Sequence, residues 1–281
     1  MTELSYALAV LSSITYGAAD FLGGLATKRS NMFSVVVFSQ LSGLILVLIS
    51  VPSLPSSLPT KIDFAWGAAS GLAGGIGVAL LYRGLAIGVM SVVAPVSAVC
   101  AVIIPLVAGL ALGERPTGLA ILGILLAIVA IVLVSQTGHI EERKRATTGL
   151  PIAIASGIAI GIFLVFLERT GPSAGLWPLI AARVVSVTFF TMAGLMSREK
   201  LMPRRESMPI VIGCGALDIL ANILYLLAVR RGLLSIVATL TSLYPASTII
   251  LARIVLRERL RFLQRAGVAC AAVAIVLIVS G

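Results

Sequence analysis

The sequence predicts an all-α integral membrane protein with ten transmembrane helices, arranged as two inverted five-helix repeats. Three observations carry that expectation. The composition is too apolar for a water-solvated globule, the two halves fall into register at an offset of 144 residues, and the basic residues crowd onto alternate connections. Of 281 residues, 59% are hydrophobic and 11% are charged, and the mean hydropathy is +1.12. A soluble domain carries about a quarter charged residues, so most of this chain needs lipid as its solvent.

The elements follow from the apolar runs. Stretches long enough to span lie at 5–26, 33–51, 64–84, 92–112, 117–135, 150–167, 176–196, 208–228, 233–253 and 262–280. A segment alone in lipid must satisfy its own backbone hydrogen bonds, which makes each run a helix. Barrel strands would alternate in polarity over about ten residues, whereas these runs are twice as long and uniformly apolar. The amino terminus lacks the Lys/Arg that opens a cleavable signal, so the first run reads as a retained helix. Pro52, Pro55 and Pro59 mark the stretch Pro52 to Asp63 as the longest connection of the first half. Gln136 to Thr148, with Glu141-Glu142-Arg143-Lys144-Arg145, reads as a charged linker between halves. The expected division is therefore 1–135, a cytoplasmic linker at 136–149, and 150–281.

The register between the halves is specific. At an offset of 144, Leu112-Gly113-Glu114-Arg115 falls on Leu256-Arg257-Glu258-Arg259, Gly123 on Gly267, and Ala127 to Leu133 on Ala271 to Leu277. Ala9, Ser12 and Gly17 fall on Ala153, Ser156 and Gly161. Apolar helices match by chance, but a polar pair in register with glycines does not. Five is an odd number of crossings, so the second repeat must enter from the opposite face. The charges agree: Lys28, Arg29, Arg83, Arg143 to Arg145, Arg198 to Arg205 and the Arg253 to Arg265 group share one side. Lys61, Arg115, Arg169, Arg230 and Arg231 occupy the other, giving fifteen against five with Arg183 inside a span. The positive-inside rule puts the rich side in the cytoplasm and both termini outside the cell membrane. The net charge of +10 is thus an orientation signal and does not point to nucleic acid.

These features resemble the EamA-type family of the drug/metabolite transporter superfamily. The resemblance rests on Tyr16-Gly17-Ala18-Ala19-Asp20-Phe21, on the duplicated Glu114-Arg115 and Glu258-Arg259 with a glycine nine residues after each Glu, and on Tyr82 and Tyr225. It implies secondary transport or export of small metabolites, such as amino acids and related polar compounds, with a small-molecule substrate and possible use of protons. Departures exist: Arg257 replaces Gly113, and Pro95 and Pro105 have no counterparts at the matching offset, whereas Pro245 stands elsewhere. The halves have diverged, so two equivalent substrate sites are not expected.

Asp20, Arg183 and Asp218 fall well inside spans. A charge near the bilayer centre costs at least a few kcal/mol and usually faces a partner or a cavity. Asp218, Asn222 and Tyr225 stand at i, i+4 and i+7, which puts a carboxylate, an amide and a phenol on one helical face. We read Asp20, Arg183, Asp218, Asn222 and Tyr225 as lining a polar central cavity, with Gln40 as a further candidate. Arg183 could hold a carboxylate or phosphate, and an aspartate could hold an amine or a proton. The competing reading is a structural ion pair between Arg183 and one aspartate. Glu114 and Glu258 read as helix-end caps, and Gly67-Gly71-Gly75 and Gly157-Gly161 as close-packing positions. Pro95, Pro105 and Pro245 are expected to interrupt the fourth and ninth spans.

Other classes are disfavoured. The chain has no phosphate-binding G-x-x-x-x-G-K-[ST] loop. His139, its only histidine, sits in the linker and offers no metal site or Ser-His-Asp triad. Cys100, Cys214 and Cys270 are dispersed through apolar runs, which suits neither a disulfide framework nor zinc. Neither an enzyme nor a cofactor is expected. The alternative to a transporter working by alternating access is a lipid translocase component or a passive channel-like facilitator. A channel wants a continuous polar stripe, and the polar set here is sparse and local.

Overall fold

The computed structural model describes residues 2–53, 59–88, 90–134, 140–256 and 262–280. These residues form α1 (Thr2–Thr27), α2 (Met32–Ser50), α3 (Lys61–Ile87), α4 (Met90–Ala111), α5 (Gly118–Val134), α6 (Ile140–Glu168), α7 (Trp177–Met196), α8 (Met208–Val229), α9 (Leu234–Thr241), α10 (Tyr244–Leu256) and α11 (Phe262–Ser280). Eight of them, all but α5, α9 and α10, are long and apolar enough to cross a membrane. At 17 residues, α5 is a shorter apolar helix. His139 and Arg257-Glu258-Arg259 lie outside the described residues, as do the side chains of the Glu141 to Arg145 run.

The helix ends follow local chemistry. Asn31 caps α2 by accepting from the Phe33 N–H at 2.8 Å, satisfying one of the orphan donors of a first turn. Thr60 and Asp63 form a reciprocal capping box, which starts α3 at Lys61 inside the expected Pro52 to Asp63 connection. Pro178 and Pro209 sit in the first turns of α7 and α8, where a missing N–H costs nothing. At the far end of α4, Gly113 adopts φ +87°, and the Glu114 N–H turns back to the Gly109 carbonyl at 3.0 Å. That left-handed stop favours glycine.

Three expectations need correction. The run at 233–253 is two helices, α9 and α10, separated at Ser242 and Leu243. Pro245 stands in the first turn of α10, where it starts a helix. Pro95 and Pro105 do not interrupt α4, which is continuous across both. In lipid-type bundles, neighbouring groups can re-satisfy the carbonyls a proline frees. Finally, α6 begins at Ile140, about ten residues inside the expected linker.

The packing repeats itself. α1 packs on α8 as α3 packs on α6; α2 on α8 as α7 on α3; and α4 on α6 as α9 and α10 pack on α1. The remaining large contacts, α2 with α7 and α5 with α11, join equivalent helices. Shifting each partner by 144 residues converts one member of every pair into the other, which describes a pseudo-twofold relation. It extends to single bonds: Ser12 Oγ donates to the Ala221 carbonyl and Ser156 Oγ to the Gly77 carbonyl, each at 2.8 Å.

Glycines set the distances between helices. A Cβ on Gly67, Gly71 or Gly75 of α3 would lie 2.7, 2.2 and 2.5 Å from Pro178, Ala182 and Ser186 of α7 respectively. One face of α3 is thus seated directly on α7, as small-residue spacing permits. Gly157 and Gly161 do the same for α6 on α4, against Ser97 and Ile104.

Candidate functional site

Between these helices lies a central cavity. Its walls come from α1, α2, α3, α6, α7, α8 and the α9–α10 break, so both halves contribute. Asp20, Gln40, Arg183, Asp218 and Asn222 all line it, and none is more than 6% exposed.

Arg183 is the hub. It projects from α7 toward α8 and α2, where its Nη2 donates to Asp218 Oδ2 at 2.5 Å and its Nη1 donates to Gln40 Oε1. α7 can bring it there because Gly43 of α2 leaves its Nε room, 3.5 Å from where a Cβ would stand. The planar guanidinium suits a two-partner clamp of this kind. Asn222 Nδ2 donates to the Asp218 carbonyl at 2.6 Å, and its Oδ1 accepts from the Tyr16 hydroxyl at 2.9 Å. The Arg183–Asp218 ion pair and the cavity wall are therefore one object.

Asp20 stands apart. It makes no hydrogen bond or ion pair among the described residues, yet it lies within electrostatic reach of Asp218. Below it, Tyr82 and Cys214 share a hydrogen bond at 3.0 Å, and Cys214 Sγ donates to the Ala19 carbonyl at 3.3 Å. Tyr225 turns away from the cavity. Its hydroxyl donates to the Leu164 carbonyl at 3.0 Å, so the expected carboxylate–amide–phenol face is only a carboxylate–amide face. The i+7 position keeps to the same side of α8 but stands about 10 Å farther along its axis, beyond the cavity wall.

Several lining residues escaped the sequence reading: Tyr16, Phe163, Ser186, Thr241 and Tyr244. Tyr16 had a signal, standing four residues before Asp20 on the same face. Thr241 and Tyr244 were hidden by treating the ninth span as one helix. The cavity is also polar on one side only. Shifted by 144 residues, Asp20, Asp218 and Asn222 correspond to Leu164, Gly74 and Val78, which line the cavity as well.

At the end near Lys61, a second network closes the bundle. Asp63 Oδ1 accepts from the Gly171 N–H at 2.7 Å, and Arg230 Nη2 donates to the Gly171 carbonyl at 3.2 Å. Arg230 lies just past α8, and burial pushes its guanidinium down to about 10, partly offset by Asp63. It stays cationic at neutral pH.

A family model described as the EamA-like transporter family matches residues 3–136 and again 147–280. A solved structure titled only as the crystal structure of a protein aligns over 96% of this chain and 96% of its own, with a TM-score of 0.72 and 14% identity. At that identity the likeness concerns the fold alone. No curated protein matches the sequence.

Proposed function

The chain belongs to the EamA-like transporter family, and on that premise we propose that it is a secondary exporter of a small polar or amphipathic metabolite, working by alternating access. One observation carries the reading: a single central cavity, walled by both halves, holds a buried Arg183–Asp218–Gln40 cluster at the pseudo-twofold relation. Membrane charges of this kind usually mark a substrate or ion path, and midplane sites between inverted repeats are typical of secondary transporters. In this reading there are ten crossings, with α9 and α10 making one between them. The repeats occupy 1–135 and 150–281, and both termini face outward from the cell membrane. Asp20 is the group available to exchange a coupling proton.

Reconstitution into proteoliposomes tests it. Candidate metabolites should accumulate saturably against an imposed proton gradient, and Arg183→Leu should abolish accumulation. Uptake linear in concentration, indifferent to the gradient and to Asp20→Asn, would instead indicate a passive facilitator.

A further inference from the structure

The polar groups of the cavity are unequally used. On the Arg183 side the polar groups are tied to one another: Arg183 gives one N–H of each amino group to Gln40 and to Asp218, and Asn222 donates to the Asp218 carbonyl. The hydroxyls of Tyr16 and Tyr244 donate to Asn222 and to the Ala94 carbonyl. At the Asp20 end, acceptors are left over. Asp20 is 5% exposed and has no partner among the described residues. Thr241 Oγ1 is buried without a hydrogen bond in a residue 2% exposed. The charge balance is also negative, with Asp20 and Asp218 against Arg183 alone.

The α9–α10 break adds to the same imbalance. In a continuous helix the Thr241 carbonyl would accept from residue 245, but that residue is Pro245 and has no N–H. The Ser242 carbonyl would accept from Ala246, whose N–H donates instead to the Leu243 carbonyl at 3.0 Å. Both carbonyls therefore lose the partner a continuous helix would give them, at the electronegative end of α9. The opposing end of α10 is a poor anion site, since one N–H is missing at Pro245 and the next is used. α1 is pressed onto this break: a Cβ on Gly17 would lie 2.5 Å from the Tyr244 carbonyl oxygen. Asp20 follows about one turn along the same face.

We infer that Asp20, the Thr241 hydroxyl and the carbonyls of the α9–α10 break form one subsite for an ammonium group, so that the compound carried is an amphipathic amine. An ammonium offers three donors and no acceptor, the complement of the carboxylate, hydroxyl and carbonyl oxygens gathered at this end of the cavity. The apolar body of the amine lies against the opposite wall, where Leu164, Gly74 and Val78 replace the polar residues. Arg183, neutralised by Asp218, keeps the cavity from being doubly negative and is not the ligand-binding charge. The assignment of the amine as cargo rests on the transport reading; the subsite itself does not.

The test is equilibrium binding to the purified full chain in nanodiscs, read as the shift in thermal unfolding midpoint. The probes are n-hexylammonium, 2-phenylethylammonium and tryptammonium. 3-Phenylpropionate serves as the anionic counterpart, and NaCl is compared with KCl at constant ionic strength. At least one amine should raise the midpoint saturably, and the carboxylate should not. Asp20→Asn should weaken amine binding at least about tenfold, the scale of a charge-assisted hydrogen bond, and Thr241→Val should weaken it severalfold. Lys61→Gln, at the end of the bundle, should leave it unchanged. If Asp20→Asn does not fold, Asp20→Glu should retain binding while Thr241→Val still weakens it. Failure of all three amines to bind overturns the subsite. So does binding indifferent to Asp20→Asn, stabilisation by 3-phenylpropionate that disappears in Arg183→Leu, or stabilisation by sodium with which no amine competes. Because no gradient is involved, the outcomes separate cleanly. Uptake of anions without amine binding sinks the subsite alone, whereas amine binding without any uptake by proteoliposomes sinks the transport reading alone.

Discussion

At the scale of single residues, Arg183 and Asp218 reconcile two readings that the sequence left opposed, an ion pair and a cavity wall. Both side chains are buried and joined at 2.5 Å. Removing one partner strands the other, a loss of about 3–5 kcal/mol for a buried pair, whereas replacing both with apolar side chains is often nearly neutral. Asp218→Leu should therefore lower the unfolding midpoint markedly, and the double change Arg183→Met with Asp218→Leu should recover most of it. Transport should stay absent in both. Recovery of transport in the double variant would reduce the pair to a structural brace. The sequence made five of these side chains legible, because a charge or amide in the middle of an apolar run is rare and conspicuous. Phe163 and Thr241 carry no such contrast with their surroundings. Tyr225 was misplaced because a shared helical face says nothing of distance along the axis: two turns beyond Asp218 its hydroxyl meets the Leu164 carbonyl instead of the cavity.

At the scale of elements, two devices set where the helices stand. One is the α3–α7 contact, in which the Gly71 Cα approaches the Ala182 backbone so closely that an added Cβ would stand 2.2 Å from its carbonyl oxygen. Gly71→Ala should destabilise the bundle by about 1–3 kcal/mol, the usual cost of overpacking. Gly118→Ala, where a Cβ would meet nothing within 4 Å, should be neutral or slightly stabilising. Comparing the two by thermal unfolding separates packing from any general effect of losing glycine. The other device is Glu114, expected from sequence to cap its own helix end. It caps a different helix: its carboxylate accepts from the Leu234 and Ser235 N–H groups of α9 at 2.6 and 2.9 Å. With only eight residues, α9 depends on such a cap. Glu114→Ala should cost about 0.5–2 kcal/mol and should speed amide exchange over 234–241 before it does so in α8. Uniform protection of both helices in the variant would show that α9 is held by packing alone. The break after α9 was not legible because hydropathy averaged over a span's length hides it: Thr241 to Tyr244 is a four-residue dip inside an apolar run, and Pro245 reads equally as a kink or a start.

At the scale of the whole molecule, the repeat was the most legible feature, since the 144-residue register reappears as matched helix contacts and as the paired Ser12 and Ser156 hydrogen bonds. What the register could not give is the chemical asymmetry between the two sides of the cavity, because duplication preserves shape while Asp20, Asp218 and Asn222 face Leu164, Gly74 and Val78 across it. Orientation in the membrane follows from charge alone. Fifteen basic residues on one side against five on the other should hold that side in the cytoplasm. The three native cysteines can be replaced by serine or alanine, since Cys100, Cys214 and Cys270 form no disulfide. In that background, Lys61→Cys at the start of α3 should react with a membrane-impermeant maleimide in intact cells. Lys200→Cys, exposed between α7 and α8, should react only after permeabilisation. The opposite pattern would invert the whole topology. Labelling of both sites in intact cells would mean that the two connections share a side, which an odd number of crossings between them forbids. Five helices, α3 to α7, lie between residues 61 and 200 and make five crossings in the proposed topology, so the two labels test the count of crossings as well as the direction.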